Sequence, residues 1–199
     1  MARFDQAVGE TVARGIEPGI VHAANSAATL YHSNAWLNML RPGIAVYGYA
    51  PSGWTDRPVD VTPVMELETR IVFLKQVAAG TPISYGRTYY TKERSWIATL
   101  PIGYGDGVNR LLSNRGAVLV HPRQGSPFTA PIVGRICMDQ LMIELGSAPQ
   151  PPAELYDKVT VFGPDPAGPS ADSIAELIDT IPYEVTCGVS PRVPRVHVE

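Results

Sequence analysis

The chain has 199 residues, of which 45% are hydrophobic and 18% are charged, and its formal net charge is −3. This balance supports a packed core, in one large domain or in a small domain with part of another, and it excludes a disordered chain. The lack of a basic excess argues against a nucleic-acid partner, and no apolar run of the sequence is long enough to cross a membrane.

The cysteines and histidines do not form a metal-binding pattern. Cys137 and Cys187 lie in apolar contexts without C-x-x-C spacing, which favours reduced, packed thiols in a cytosolic protein. The four histidines are scattered along the chain, so no zinc site is predicted. The N-terminal residues lack the apolar core of a signal peptide. We therefore expect a cytoplasmic location.

The N-terminal part of the chain begins with a helical pattern and continues with an extended one. Apolar residues recur every four positions and predict a helix over residues 3–14. A short apolar strand over residues 20–24 follows, and Asn25 and Ser26 then begin a second helix. Such a polar junction directs backbone N–H groups toward whatever lies above the strand and favours anions, although an ordinary helix cap is the simpler interpretation.

A helix or turn over residues 36–40 leads into Arg41-Pro42-Gly43 and a second apolar run. Pro42 excludes a helix at Arg41, and Gly43 allows the backbone to approach a ligand closely. Alternating helices and apolar runs are typical of parallel strands. The pattern predicts that residues 1–50 are the end of an incomplete barrel.

The character of the sequence changes over residues 51–62, which are predicted to be a linker because turn-forming residues dominate there. Residues 63–199 are predicted to form a compact β domain, interrupted by a helix over residues 171–179 with Ser170 as its N-cap. The fold class is thus mainly β, with an α/β remnant before a C-terminal β-barrel-like domain. The predicted strands are residues 64–78, 94–101, 116–121, 128–135, 139–145, 157–163 and 183–198.

Tyr85 lies beside Gly86 and close to Arg87, between a turn and a predicted strand. Its hydroxyl can both donate and accept a hydrogen bond, which makes it a candidate proton carrier. The simpler interpretation is a strand tyrosine that caps the core.

Two further clusters combine glycines, polar residues and apolar residues. Tyr104 and Asp106 lie among the three glycines of residues 100–107, for which a hairpin turn is the simpler interpretation. Arg135 and Asp139 lie within a hydrophobic run, where charged side chains must be paired or must face a site. A structural salt bridge would explain these two charges, and the intervening Met138 would then be a core residue.

Taken together, these segments resemble the alanine racemase family, whose members interconvert L- and D-alanine with pyridoxal 5'-phosphate (PLP). Six segments appear in the order and near the spacing of that family, across almost the whole chain. The matching segments are residues 22–28, 41–48, 83–88, 100–107, 134–140 and 183–185.

The resemblance implies an N-terminal (β/α)8 barrel that binds PLP and a C-terminal β domain. Only the last strands and helices of that barrel, residues 1–50, have counterparts here. The lysine that forms a Schiff base with the cofactor belongs to an early barrel strand and is expected to be missing from this chain, because Lys75, Lys92 and Lys158 stand in other contexts. We therefore expect a fragment that is inactive alone.

The resemblance also implies roles for residues of the barrel segment. Arg41 is similar to the arginine that meets the pyridine nitrogen of PLP, and His22 to the residue that supports this arginine. Ser26, Gly43 and Ile44 match positions that hold the cofactor phosphate, in agreement with the frequent binding of phosphate after the last two strands of such barrels.

In the β domain, the resemblance implies that Tyr85 is the base for L-alanine and that Met138 contacts the substrate. Tyr104 and Asp139 match positions at the entrance to the site or just behind it. Because the β domain of one family subunit covers the barrel mouth of the other, a homodimer with a shared active site is implied. Pro191 differs from the family pattern, since many family members have a phosphate-contacting tyrosine at this position.

The implied function is alanine racemisation by two bases, which supplies D-alanine for peptidoglycan. Two alternatives stay open at the level of the sequence. One is a non-catalytic dimerisation or ligand-binding module derived from such an enzyme. The other is a racemase for another small amino acid, such as serine.

Overall fold

The computed structural model describes residues 1–51 and 59–198, so most of the predicted linker lies outside the described residues. The chain divides into two compact units, Met1–Pro63 and Val64–Glu199. In the described part of the chain, no helix is both long enough and apolar enough to span a bilayer.

The N-terminal unit contains two α-helices, α1 (Ala2–Ala13) and α2 (Ser26–Tyr31), and 3-10 turns at Ser33–Ala35 and Ile44–Tyr47. The helix predicted over residues 3–14 is confirmed as α1, although none of its residues is buried. Asn25 caps α2 by accepting a hydrogen bond from the backbone N–H of Ala28 at 3.0 Å. The predicted polar junction is therefore a helix cap, as in the simpler interpretation.

One prediction for this unit is wrong in detail, and one open alternative is decided. Residues 20–24 are not a regular strand, whereas the segment predicted as a helix or turn over residues 36–40 contains a turn. The two segments nevertheless run side by side, because the N–H groups of Asn38 and Arg41 donate to the carbonyls of Val21 and Ala24. Both the donors and the acceptors of these two hydrogen bonds follow each other in the same chain direction, so the two segments are parallel. Two hydrogen bonds are too few to form a β-ladder.

The C-terminal unit is built around one seven-stranded antiparallel sheet. Its strands are β1 (Leu67–Arg70), β2 (Phe73–Val77), β5 (Ser95–Leu100), β6 (Ala117–His121), β7 (Phe128–Val133), β8 (Leu141–Gly146) and β9 (Lys158–Phe162). They lie side by side in the order β1-β9-β6-β7-β8-β5-β2. Buried and half-buried positions alternate in β8, where every second residue from Leu141 is buried. The mainly β prediction is confirmed.

The sheet is curled, so that one end of its first edge strand lies close to one end of the other. Strands β1 and β2 are the opposite edges of the sheet, yet only Ile71 and Val72 separate them in the chain. Two extended residues span about 7 Å, so the edges must lie close together. The Ile71 N–H donates to the carbonyl of Asp157 and the Val72 N–H to that of Thr99, which anchors the crossing to both edges. The curled sheet agrees with the predicted barrel-like domain, although its two edge strands do not pair with each other.

Two predicted strands are corrected by the structure. The strand predicted over residues 64–78 is split at Ile71, where the chain leaves one edge of the sheet for the other. The strand predicted over residues 183–198 is wrong. The chain there forms the helix α4 (Pro182–Cys187), which packs against α3 (Ala171–Leu177), and residues 188–198 contain turns but no strand. Proline at the first helical position favours this helix despite the β-branched residues that follow. Helix α3 begins at the predicted cap, Ser170.

A small hairpin of β3 (Pro82–Ile83) and β4 (Tyr89–Tyr90) carries Tyr85 at its turn. The Tyr89 hydroxyl donates a hydrogen bond of 2.5 Å to the Glu144 carboxylate on β8. Burial, followed by this interaction with Glu144, raises the pKa of Tyr89 to about 12. The hairpin is thus attached to the main sheet through a neutral phenol and a carboxylate.

We expect Tyr89→Phe to lower the free energy of unfolding by about 1 kcal/mol at neutral pH, because one hydrogen bond is lost. The pKa of Tyr89 is higher in the folded chain, near 12, than the value of about 10 in the unfolded chain. Its contribution is therefore complete below pH 10 and is lost between pH 10 and 12. Urea unfolding across this range should show the two proteins converging. Tyr90→Phe, an exposed neighbour, is the control, and parallel pH profiles for Tyr89→Phe and the wild type would contradict the assignment.

Candidate active site

One cavity of about 350 Å3 in the C-terminal unit brings together the four site residues predicted there. Tyr85 and Met138 are 72% and 52% exposed, so neither is a core residue, and the simpler interpretations of both are wrong. A cavity of this size suits a small molecule. Its lining consists of Tyr85, Tyr104, Arg110, Arg135, Ile136, Cys137, Met138, Asp139 and Gln140.

The Tyr85 turn has an unusual backbone. Ser84 adopts φ 63° and ψ −175°, a region that is almost confined to glycine, and Gly86 and Arg87 also have positive φ. Each such non-glycine residue costs about 1–3 kcal/mol and persists only where its surroundings enforce it. Here the Ser84 hydroxyl donates a 2.6 Å hydrogen bond to the carbonyl of Arg135, which holds Tyr85 at the cavity.

The segment opposite this turn approaches it closely at Gly134. A Cβ atom at Gly134 would lie 2.7 Å from the carbonyl oxygen of Ile83 and 2.7 Å from the Ser84 Cβ. The Asn114 side chain accepts a hydrogen bond from the Gly134 N–H at 2.6 Å and donates one to Thr88 at 3.0 Å. Asn114 therefore joins the two sides of the cavity wall.

Tyr104 is held by backbone contacts between its loop and residues 137–138. The N–H groups of Tyr104 and Gly105 donate to the carbonyls of Cys137 and Met138, at 3.0 and 2.8 Å. Gly103 permits this approach, because a Cβ atom there would lie 2.2 Å from the Cys137 carbonyl oxygen. The loop contains a tight turn but is not the hairpin turn of the simpler interpretation, because β5 before it does not pair with β6 after it. The turn places Tyr104 at the cavity.

Charged groups surround the cavity. Asp139 does not pair with Arg135 but forms a 2.6 Å ion pair with Arg192, which also contacts Asp106 at 2.8 Å. Hydrogen bonds to Asp106 and then to Asp139 raise the pKa of Arg192 above its ordinary value. Arg135 lines the cavity, and its guanidinium lies over Gly86, where a Cβ atom would be 3.1 Å from its Cζ.

The predicted cofactor residues lie together in the N-terminal unit. The Ser26 hydroxyl, 3% exposed, accepts hydrogen bonds from the N–H groups of Gly43 at 2.8 Å and Ala45 at 3.4 Å. Because both of its acceptor positions are used, its hydrogen is left to donate elsewhere. Ile44 is buried within this turn, and the backbone of Arg41 is fixed by the carbonyl of Ala24. The buried Nδ1 of His22 has no hydrogen-bond partner among the described residues.

Sequence reasoning missed Arg110 as a cavity residue and Arg192 as the partner of Asp139 at the cavity rim. Arg110 had a possible signal, because it follows the glycine-rich run closely in the chain. Arg192 had no local sequence signal, since its partners Asp139 and Asp106 are 53 and 86 positions away in the chain.

The two units match two different protein-family models. Residues 1–51 match the family model described as alanine racemase, N-terminal domain. Residues 64–197 match the model described as alanine racemase, C-terminal domain. The chain belongs to the alanine racemase family.

Curated relatives include an alanine racemase from Desulfovibrio desulfuricans, which is 46% identical and covers 99% of this chain and 51% of its own length. Another, from Treponema denticola, is 42% identical and covers 98% of this chain and 51% of its own length. Among solved structures, the alanine racemase of Bacillus anthracis with bound L-Ala-P has a TM-score of 0.87 at 40% identity, covering 98% of this chain and 49% of that one. The chain thus spans about half the length of the alanine racemases it matches.

We expect Gly134→Ala to destabilise the C-terminal unit by more than about 2 kcal/mol, because strain at φ +74° is joined by collision with the Tyr85 turn. Gly125→Ala is the matched control, since Gly125 also has a positive φ of +98° but has nothing within 4 Å of an added Cβ. It should cost about 1 kcal/mol. Chemical unfolding measures both variants, and equal losses would argue against the close contact.

Proposed function

We propose that this chain is part of an alanine racemase, in which it contributes to the PLP-dependent interconversion of L- and D-alanine by two bases. The observation that carries the proposal is the single cavity that gathers Tyr85, Tyr104, Met138 and Asp139. The resemblance implies a role in the reaction for each of these residues, and their convergence on one cavity supports those roles. Membership of the alanine racemase family supports the same activity.

The residues of the N-terminal unit are compatible with PLP. The free hydroxyl hydrogen of Ser26 suits a phosphate oxygen, and the turn at Gly43 and Ile44 holds that hydroxyl in place. Arg41 would face the pyridine nitrogen, and a guanidinium always keeps its protons, so it donates there rather than accepts. When bound, the cofactor supplies the electron sink that makes the α-proton of the amino acid removable.

Tyr85 would remove the α-proton of L-alanine and return a proton to make L-alanine in the reverse direction. Tyr85 is exposed at the cavity, so its hydroxyl is accessible to a substrate. The hydrogen bond from Ser84 to the Arg135 carbonyl holds the backbone that carries the Tyr85 ring. Met138 would bound the space for the substrate side chain, and Tyr104 would lie at the entrance. A second base, on the opposite face of the substrate, would come from outside this chain.

We further propose a cytoplasmic homodimer that supplies D-alanine for peptidoglycan. The proposed cofactor residues and the proposed base lie in different compact units. Such a division suits an active site shared between two subunits, in which the C-terminal unit of one completes the cofactor site of its partner.

In the full-length protein, Tyr85→Phe should slow α-proton removal from L-alanine by about 10²–10⁴-fold, because a general base is lost. Net racemisation has a fixed equilibrium constant, so its rate falls in both directions. Exchange of the α-proton with D2O therefore provides the test, followed by NMR for each enantiomer separately. Exchange into unreacted D-alanine should persist.

Tyr90→Phe is the matched control, because Tyr90 is exposed on the same hairpin and does not line the cavity. Equal, small effects of Tyr85→Phe on both enantiomers would refute the role of Tyr85. The same exchange measurement with L- and D-serine in place of alanine tests the amino-acid specificity of the enzyme.

For the 199-residue chain on its own, we expect no racemisation of L-alanine in the presence of PLP. None of its lysines lies in the N-terminal unit, and Lys158 is paired with Glu66 and Glu68 at 3.1 and 2.6 Å. Chiral chromatography of the amino acid after incubation provides the measurement. Steady formation of D-alanine would contradict this expectation.

A further inference from the structure

Three segments that are remote in the chain meet at the guanidinium of Arg192. One is the loop of residues 103–107, which carries Tyr104, and another is the turn of residues 137–139. The third is the turn of residues 190–193, which carries Arg192 itself and is closed by a hydrogen bond from the Val193 N–H to the Ser190 carbonyl. The first two segments form one rim of the Tyr85 cavity.

The contacts of Arg192 use the planar fork of its side chain. Its Nε donates to Asp106 at 2.8 Å, and its Nη2 donates to Asp139 at 2.6 Å and is 3.5 Å from the carbonyl oxygen of Met138. A lysine could not reproduce this geometry, because its ammonium is a single point of donation. The arginine therefore ties both rim segments to one rigid group.

Asp106 and Gly105 are fitted to this guanidinium. The second carboxylate oxygen of Asp106 accepts the Gly103 N–H at 2.8 Å, and the Asp106 carbonyl accepts the Ser190 N–H at 2.9 Å. A Cβ atom at Gly105 would lie 2.5 Å from the Arg192 Nη2 and 3.0 Å from its Cζ. Because Gly105 has no side chain, the loop leaves room for the Arg192 guanidinium.

We propose that Arg192 is a positioning residue that sets the rim of the Tyr85 cavity and thereby the access of small substrates to it. The identity of the substrate rests on the proposed function. The effect of Arg192 on the rim rests only on the contacts described above. Arg192 does not line the cavity, so it acts through Tyr104, Met138 and Asp139. The two ion pairs of Arg192 are partly exposed, and such pairs contribute little to global stability. The loss of Arg192 should therefore open the rim while leaving overall unfolding nearly unchanged.

A probe that needs no activity is the reaction of Cys137 with a thiol reagent. Cys137 lines the cavity, is only 9% exposed, and its carbonyl accepts the Tyr104 N–H. In the full-length protein, Arg192→Ala should raise the labelling rate of Cys137 about tenfold, as local opening becomes more frequent. The exposed Cys187 is the internal reference, and its labelling rate should not change. Mass spectrometry of the two peptides gives both rates.

Two variants separate the proposed role from a general loss of structure. Gly105→Ala should displace Arg192 and reproduce the faster labelling of Cys137. Arg123→Ala is the matched control, because Arg123 also bridges two carboxylates, those of Glu154 and Asp157, and none of these three residues lines the cavity. Arg192→Lys should be intermediate, since a lysine holds one carboxylate at a time.

Salt provides a test on the unmodified protein. Because the ion pairs of Arg192 are partly exposed, about 1 M NaCl should screen them and speed the labelling of Cys137. Arg192→Ala should lose this salt dependence. If labelling of Cys137 in the wild type does not respond to salt, and Arg192→Ala leaves it unchanged, the proposal is overturned.

Kinetics connects the rim to the proposed reaction. Arg192→Ala should raise the KM for alanine about three- to tenfold and leave kcat within about twofold, since access changes and the reacting groups do not. A loss in kcat alone, with KM unchanged, would contradict a positioning role. If the wild-type protein does not racemise alanine but Cys137 labelling follows the predictions, the proposed function fails and the assignment of Arg192 stands.

Discussion

The candidate active site depends on the close approach of backbone segments at two glycines. At Gly134 the chain passes the Tyr85 turn, and at Gly103 it passes residues 137–138, in both cases at distances that exclude a side chain. These approaches allow the hydrogen bonds that hold Tyr85 and Tyr104 at the cavity. The strained torsions of Ser84 can persist only because this framework surrounds them.

The division of the proposed chemistry between two compact units gives the two parts of the chain different tasks. The N-terminal unit offers a buried hydroxyl whose acceptor positions are occupied, together with a backbone turn, and this suits an anion. The C-terminal unit offers a phenol and a charged rim around a small cavity. The two curated alanine racemases compared with this chain are each about twice its length.

Much of the fold was predictable because local signals agreed with the final structure. The strand over residues 139–145 and the cap of α3 at Ser170 were both predicted from the sequence, and the structure has β8 and α3 there. The segment after Pro182 was misleading, because its β-branched residues favour a strand while proline and packing on α3 favour a helix. The site motifs were recognisable as short runs. The pairing of Arg192 with Asp106 depends on tertiary contacts and has no local signal.

The crossing at Ile71 and Val72 makes the barrel-like domain sensitive to changes in chain connectivity. Ile71 is fully buried, and these two residues are the covalent link between both edges of the sheet. A break or an insertion at this point would disturb both edge strands together, and edge strands carry the unpaired backbone groups that can pair with other chains. The region around Gly125 is open by comparison, so a fusion partner or a circular permutation is better placed there.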